Sequence, residues 1–304
     1  MSTARRRTGG HRTARGAVVA ALTGVLLAGC GGGGNGSVTP DAATSSPQAA
    51  SVPEVPIPDD CEVAPPARLE AEVVAERPHD RTAFTQGLVF LGGRLFESTG
   101  LRGASSLREL DPATGSVLRQ APVPGDAFAE GLTATADGRL VQLTWTEGLA
   151  FVRDPDTLEV AGEFRYPGEG WGLTTLDDRR LVQSDGSDTL VVRDPDTFEP
   201  LERLTVRRAD GATDQLNELE WDGRHLWANR WRTDEIVRID LRCATVDAVV
   251  DTSALATRVV AMPVPEGLAP PEVVNGVASI PGTDRFLVTG KRWPTMFEVR
   301  FVPT

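Results

Sequence analysis

Lysine is almost absent from this 304-residue chain: of its 31 basic residues only Lys291 is a lysine, and all the others are arginine. That one ammonium lies within Thr289-Gly290-Lys291-Arg292-Trp293-Pro294. An ammonium is a compact point charge with three donors, and a planar guanidinium does not replace it in a tight pocket. Histidine is nearly as scarce, at His11, His79 and His225. Together with only three cysteines, this argues against a metal centre of the zinc type. Positive charge is missing overall. The net charge is −12, and residues 1–29 hold five arginines and no acid, so their removal leaves the rest more negative still. Such a surface speaks against nucleic acid and anionic headgroups as partners and suits neutral or cationic substrates. The apolar stretch Ala17–Leu27 is too short to span a bilayer by itself.

What is present begins with an address. Arg5, Arg6, Arg7, Arg12 and Arg15 precede that apolar stretch, which ends in Leu27-Ala28-Gly29-Cys30. Residues 1–29 therefore read as a lipoprotein-type signal peptide, with Cys30 resembling the lipidated cysteine of a bacterial lipobox. The expectation is export and anchoring on the outer face of the cell membrane through lipid alone; the alternative is a cleaved signal and a secreted protein. Arg5-Arg6 leaves both the general and the twin-arginine export routes open. Residues 30–65 are rich in Gly, Ser, Thr, Pro and Ala and read as a flexible tether. In an exported chain the simplest fate of Cys61 and Cys243 is a mutual disulfide, with two free thiols as the alternative.

Residues 66–304 repeat. Units open at Gln86-Gly87-Leu88, Glu130-Gly131-Leu132, Trp171-Gly172-Leu173, Asn217-Glu218-Leu219 and Asn275-Gly276-Val277. Each continues through a second strand, such as Arg139–Leu143, and a third, such as Ala150–Asp154. Asp111-Pro112, Asp154-Pro155 and Asp194-Pro195 follow third strands with turn chemistry and lead to a fourth strand. Spacings of 44, 41, 46 and 58 residues, with several strands per unit, are the signature of a β-propeller. The expected fold is all-β: a five-bladed propeller closed by a spare N-terminal strand at residues 68–76, which completes the last blade and removes an open edge.

Equivalent positions of a propeller meet around its axis. The openings bring Gln86, Glu130, Trp171, Asn217 and Asn275 together, and the second-strand ends bring Trp145, Trp231 and Lys291. Taken singly, the tryptophans read as packing residues and the amides as partners for backbone groups. Taken together they describe a pocket with one carboxylate, one ammonium, amides and aromatic walls.

These residues also carry a resemblance. Ala83–Leu88, Glu97–Gly100, Gly103–Arg108, Glu130–Thr133, Gly170–Leu173, Leu216–Glu220 and Thr289–Pro294 resemble the plant- and bacterial-type glutaminyl cyclases, the glutaminyl-peptide cyclotransferases of papaya-latex type. The likeness spans about residues 72–302. Departures are Ala129, where the family often has glycine, and Phe96, Trp221 and Trp227 at positions where tyrosine is usual. The resemblance implies an acyltransferase that turns the N-terminal glutamine of peptides or proteins into pyroglutamate and releases ammonia. It implies no cofactor or catalytic metal. The matching site residues are Phe84, Gln86, Glu130, Trp145, Trp171, Asn217, Trp231 and Lys291.

The chemistry asks for those groups. The α-amine must lose a proton to attack, and the departing nitrogen must gain one; a single carboxylate performs both transfers. Glu130 is the only acid among the five openings and takes that role. Lys291, Asn217 and Gln86 are placed to stabilise the developing oxyanion or orient the carboxamide. Phe84, Trp145, Trp171 and Trp231 form the walls. Two other readings stay open: a metal-dependent propeller hydrolase of lactonase type, in which Glu130, Asn217 and Asn275 hold a hard cation, and a non-catalytic binding propeller. A structural ion in the channel is compatible with all three. A monomer is expected.

Overall fold

The structure, a computed structural model, describes residues 52–211 and 213–304. The expected signal peptide, Cys30 and most of the tether lie outside them. Among the described residues the chain is almost entirely strand. β1 (Ala67–Pro78) precedes three separate four-stranded antiparallel sheets. The first is β2 (Thr85–Leu91), β3 (Arg94–Thr99), β4 (Ser106–Leu110) and β5 (Val117–Pro122). The second is β6 (Ala129–Ala134), β7 (Leu140–Thr144), β8 (Leu149–Arg153) and β9 (Val160–Arg165). The third is β10 (Leu173–Asp177), β11 (Arg180–Gln183), β12 (Thr189–Arg193) and β13 (Pro200–Thr205). There follow β14 (Leu216–Trp221), β15 (Leu226–Arg230), β16 (Glu235–Asp240) and β17 (Thr245–Asp251). After a helix, α1 (Ser253–Val260), come β18 (Val274–Ser279), β19 (Phe286–Gly290) and β20 (Thr295–Pro303). These last seven strands and β1 form one eight-stranded sheet, in the order β14-β15-β16-β17-β1-β20-β19-β18.

β1 alternates half-buried and exposed residues, the period of a strand with one covered face. It runs antiparallel to β20, from Leu69 opposite Pro303 to Pro78 opposite Thr295. Its start also pairs in parallel with β17, Ala67 to Ala248 through Glu70 to Asp251. The helix was not read from the sequence, and it accounts for the long last spacing. It is two turns long and anchored by Leu255 and Val259, four residues apart and both buried.

The aspartate turns form as their chemistry demands. Asp111, Asp154 and Asp194 each accept two backbone N–H groups through Oδ1. Four residues on, Gly115, Leu158 and Phe198 all have positive φ. Glycine takes that conformation freely, whereas Leu158 and Phe198 take it at a cost of about 1–2 kcal/mol. Both side chains are buried in hydrophobic clusters, and apolar burial worth about 1.5–3 kcal/mol offsets that cost.

The tether is shorter than expected. Residues 52–65 were assigned to it on composition, but Val55 and Ile57 pack against a hydrophobic cluster. Val55 N donates to Arg203 O, and Arg203 N to Pro53 O, each at 2.8 Å. Cys61 is bonded to Cys243, with Asp60 held by Arg242 beside them. Alternating apolar residues and a covalent staple outweigh the proline-rich composition.

The first strands of the units touch in a closed cycle: β2 with β6, β6 with β10, β10 with β14, β14 with β18, and β18 with β2. Glycine permits this approach. A Cβ on Gly87 would lie 2.5 Å from Leu132 N, one on Gly131 2.6 Å from Leu173 N, and one on Gly172 would collide with Asn217 O. The fourth unit has Glu218 instead of glycine. Its buried carboxyl reaches across the cycle and accepts from Leu88 N at 3.2 Å and Val277 N at 2.9 Å.

Glu220, two residues on, accepts from Ser279 N at 2.8 Å, and burial pushes its carboxyl up to about 8. Folding therefore favours the protonated form between the ordinary 4.5 and about 8. In that window the native state holds more protons than the unfolded chain, so stability falls as pH rises, by up to roughly 1 kcal/mol per pH unit. Glu220→Gln keeps an acceptor for Ser279 and removes the titration. Urea midpoints of the variant should fall less steeply between pH 5 and 8 than those of the wild type. Equal slopes would show that Glu220 is ionised in the native protein.

Candidate active site

At one end of the cycle of first strands lies a cavity of about 210 Å³. It falls below the roughly 300–1,000 Å³ of pockets that take drug-sized ligands, and suits a single side chain. β2 contributes Gln86, β6 Glu130 and β14 Asn217, and Trp171 stands just before β10. Trp145, Trp231 and Lys291 each occupy the first position after a second strand: β7, β15 and β19. Phe84 completes the set. All eight residues proposed from the sequence therefore line one cavity. The fifth opening residue, Asn275, stands behind it.

Asn275 orders the polar side of the site. Its Nδ2 donates to Thr85 O at 3.0 Å and to Gln86 Oε1 at 3.1 Å. A carbonyl only accepts, so the Asn275 amide can face one way, and Gln86 must present its oxygen to Asn275. Gln86 Nε2 then donates to Glu130 Oε1 at 3.0 Å. Glu130 is thus held by a donor, leaving Oε2 as the oxygen that gains or loses a proton. Burial holds this carboxyl well above the usual 4.5; the Lys291 charge pulls it back, and Glu169 and Glu147 push it further up.

Lys291 is 5% exposed, and its Nζ lies 4.9 Å from the Phe84 ring centroid. Burial lowers its affinity for a proton, while the charges of Glu130 and Glu272 raise it. It meets Glu130 through space rather than by a hydrogen bond. The loop that carries it is fixed on both sides. Trp293 N donates to Gly290 O, Arg292 N to Ala83 O, and Trp293 Nε1 to Glu272 O. A Cβ on Gly290 would collide with the Trp293 ring. Beneath the loop, His79 Nδ1 donates to Trp293 O at 2.9 Å, and Nε2 meets Glu97 Oε1 at 2.8 Å. Burial disfavours charge on both groups, but their mutual attraction raises the imidazole and lowers the carboxyl, which favours the ionised pair. Thr85 Oγ1 also donates to Glu97 at 2.7 Å, joining this pair to the strand that carries Gln86.

The walls are aromatic. Trp171 and Trp231 meet edge to face with centroids 5.2 Å apart, and Phe128 stands 6.0 Å from Phe84 and 5.8 Å from Trp145. Glu169 Oε2 accepts from both Trp145 Nε1, at 2.7 Å, and Trp171 Nε1, at 2.9 Å. Asn217 Oδ1 is buried without a hydrogen-bond partner among the described residues. A buried acceptor left unpaired on a cavity wall is a place for a ligand N–H.

Two lining residues, Phe128 and Glu272, were not picked out from the sequence. Phe128 precedes Glu130 by two positions, and that proximity was the available signal. Glu272 comes from the segment between α1 and β18, where the repeat offers no equivalent position. Gln86, expected among the groups that serve the oxyanion or orient the carboxamide, directs one N–H of Nε2 to Glu130.

Fold and site together define an all-β protein with a buried carboxyl and a buried ammonium on the wall of a cavity of one side chain's volume. Residues 45–301 match the family model for glutamine cyclotransferase, and the chain belongs to that family. It is 38% identical over 233 residues to a glutaminyl-peptide cyclotransferase of Arabidopsis thaliana, covering 76% of this chain and 71% of that one. It is similar in structure to Myxococcus xanthus glutaminyl cyclase, with a TM-score of 0.71 and 38% identity over 79% of this chain and 99% of the other.

Proposed function

We propose that the protein cyclises the N-terminal glutamine of peptides or proteins to pyroglutamate and releases ammonia, with Glu130 as the acid and base. The observation that carries this reading is a buried carboxyl facing a buried ammonium inside a pocket of one side chain's volume, in a chain of this family.

The glutamine side chain enters between the aromatic walls and folds back so that its α-amine faces its own carboxamide carbon. Both reactants belong to one residue, so the pocket's first contribution is to restrict rotamers. Glu130 takes a proton from the amine as the C–N bond forms. Negative charge moves to the former carbonyl oxygen, where Lys291 opposes it in a site screened from water. Asn217 Oδ1 receives a substrate N–H. Glu130 then returns its proton to the carboxamide nitrogen, the old C–N bond breaks, and ammonia departs. A carboxyl that burial holds well above its ordinary range binds a proton more readily than a free carboxylate and is suited to both transfers.

The five units fit a five-bladed propeller closed by β1. The cyclic contacts of the first strands and the pairing of β1 with β20 support that arrangement. The donor set speaks against the metal-hydrolase reading: a hard-cation site draws on several carboxylates, and Glu130 is the only one among the five unit openings.

Incubation of the protein with a short peptide beginning in glutamine should release one ammonia per pyroglutamate formed, with equal rates with and without a chelator. A rate abolished by the chelator and restored by a divalent cation would favour the hydrolase class. Binding without ammonia release would favour the non-catalytic reading.

A further inference from the structure

The pocket seats one residue, and the remainder of a substrate chain must leave across its rim. On one side that rim is Glu272, whose carboxylate pairs with Arg292. Glu272 also begins a second, open depression of about 760 Å³ between α1 and the segment Pro271–Val273. The two cavities are joined a second way. The loop after β15 gives Trp231 to the pocket and Asp234 to the depression, three residues apart. Beyond these two carboxylates the floor is apolar, built from Val260, Ala261, Pro271 and Val273.

The helix that forms this floor has an unusual balance. It buries Leu255 and Val259, yet turns Val260 outward, 66% exposed. Val264 and Leu268, in the loop that follows, are also exposed, at 41% and 37%. Single exposed apolar residues need no explanation, but Val260 stands on the wall of an open groove with Ala256, Ala261, Pro271 and Val273, and an exposed apolar patch of that kind marks a binding surface. The groove adjoins the catalytic pocket through the shared residue Glu272, so its natural occupant is the chain whose first residue the pocket holds.

We propose that the groove beside α1 binds the substrate peptide beyond its N-terminal glutamine. This rests on the cyclotransferase reading of the pocket. The second residue passes the carboxylates of Glu272 and Asp234, where an acidic side chain is repelled. The third and fourth advance roughly 3.3–3.6 Å each and reach the apolar floor at Val260. The preferred substrates are then peptides of four or more residues, uncharged or basic at the second position and apolar at the third and fourth. Val260 is a specificity residue and takes no part in the chemistry.

The test compares kcat/KM for a glutamine dipeptide amide, a hexapeptide with leucine at positions three and four, and the same hexapeptide with aspartate there. In the wild type the leucine hexapeptide should exceed the dipeptide by roughly tenfold, the worth of one partly buried apolar side chain, and chiefly through KM. The aspartate hexapeptide should show no such gain. Val260→Glu should abolish the gain and leave the dipeptide unchanged, and Val260→Leu should retain it. Equal values for the dipeptide and leucine hexapeptide, or a gain that survives Val260→Glu, would overturn the proposal while leaving the cyclotransferase reading intact. The failure of that reading shows differently, as no ammonia from any of the three peptides.

Discussion

Replacing Glu130 with glutamine should lower kcat for glutamine cyclisation by about 10²–10⁴-fold, the range for loss of a general acid–base group. KM should change little. The substitution keeps shape, and the new side-chain oxygen can still accept from Gln86 Nε2, the one side-chain donor that meets Glu130 at 3.0 Å. What it removes is the site that takes the amine proton and returns it to the leaving nitrogen. Both transfers fail together, because no other carboxyl sits beside Glu130 to take its place: Glu169 holds the indoles of Trp145 and Trp171, and Glu272 is paired with Arg292. Ammonia release under saturating peptide measures the effect. Turnover near the wild-type rate would remove Glu130 from the mechanism.

The second large effect belongs to Lys291. Its buried Nζ lies 4.9 Å from the Phe84 ring centroid on the cavity wall, where the planar guanidinium of arginine is a bulkier and differently directed donor than a compact ammonium. Lys291→Arg should therefore lower kcat by about 10²–10³-fold, as loss of an oxyanion donor does, although the charge is conserved. Lys291→Met should lower it at least as far and add a second signature. The lysine charge draws the buried Glu130 carboxyl downward, so its removal should drive that carboxyl higher. Near-normal cyclisation by Lys291→Arg would show that charge suffices and shape at that point does not matter.

The repeat explains why most of the site was legible in the sequence. Gln86, Glu130, Trp171 and Asn217 occupy one structural position in four units, and three of them precede a glycine that lets neighbouring strands close in. Trp145, Trp231 and Lys291 share a second such position, directly after a second strand. Where the repeat is interrupted, legibility ends. α1 and Glu272 fall in the long interval between the fourth and fifth openings, where no equivalent residue in another unit points to them. Composition misled at the N-terminal side, since Pro53, Pro56 and Pro58 read as linker, while Val55 and Ile57 between them are partly buried against a hydrophobic cluster. The roles of Gln86 and Asn275 could not be read from spacing. Which way each amide points depends on a carbonyl, Thr85 O, brought to them only by the fold.

Glu218 and Glu130 show how one environment serves two ends. Both are buried and both are raised well above the ordinary carboxyl. Glu218 faces two backbone N–H groups across the strand cycle and has no opening to the pocket, so its hydrogen bonds are structural. Glu130 has one side-chain donor and a cation at a distance, and its second oxygen faces the cavity. On the proposed mechanism Glu130 carries a proton because it lines the cavity, and Glu218, which does not, is a strut.

On the proposed mechanism one buried carboxyl, held high by burial and drawn back by Lys291, carries the proton in both directions. The pH dependence of kcat for the wild type and Lys291→Met tests it most directly. Activity requires Glu130 as carboxylate at the outset, so kcat should rise with pH along a limb centred above the ordinary 4.5. In Lys291→Met that limb should move to higher pH. A limb at or below 4.5 in the wild type, or one that stays in place when the lysine charge is removed, would contradict the account.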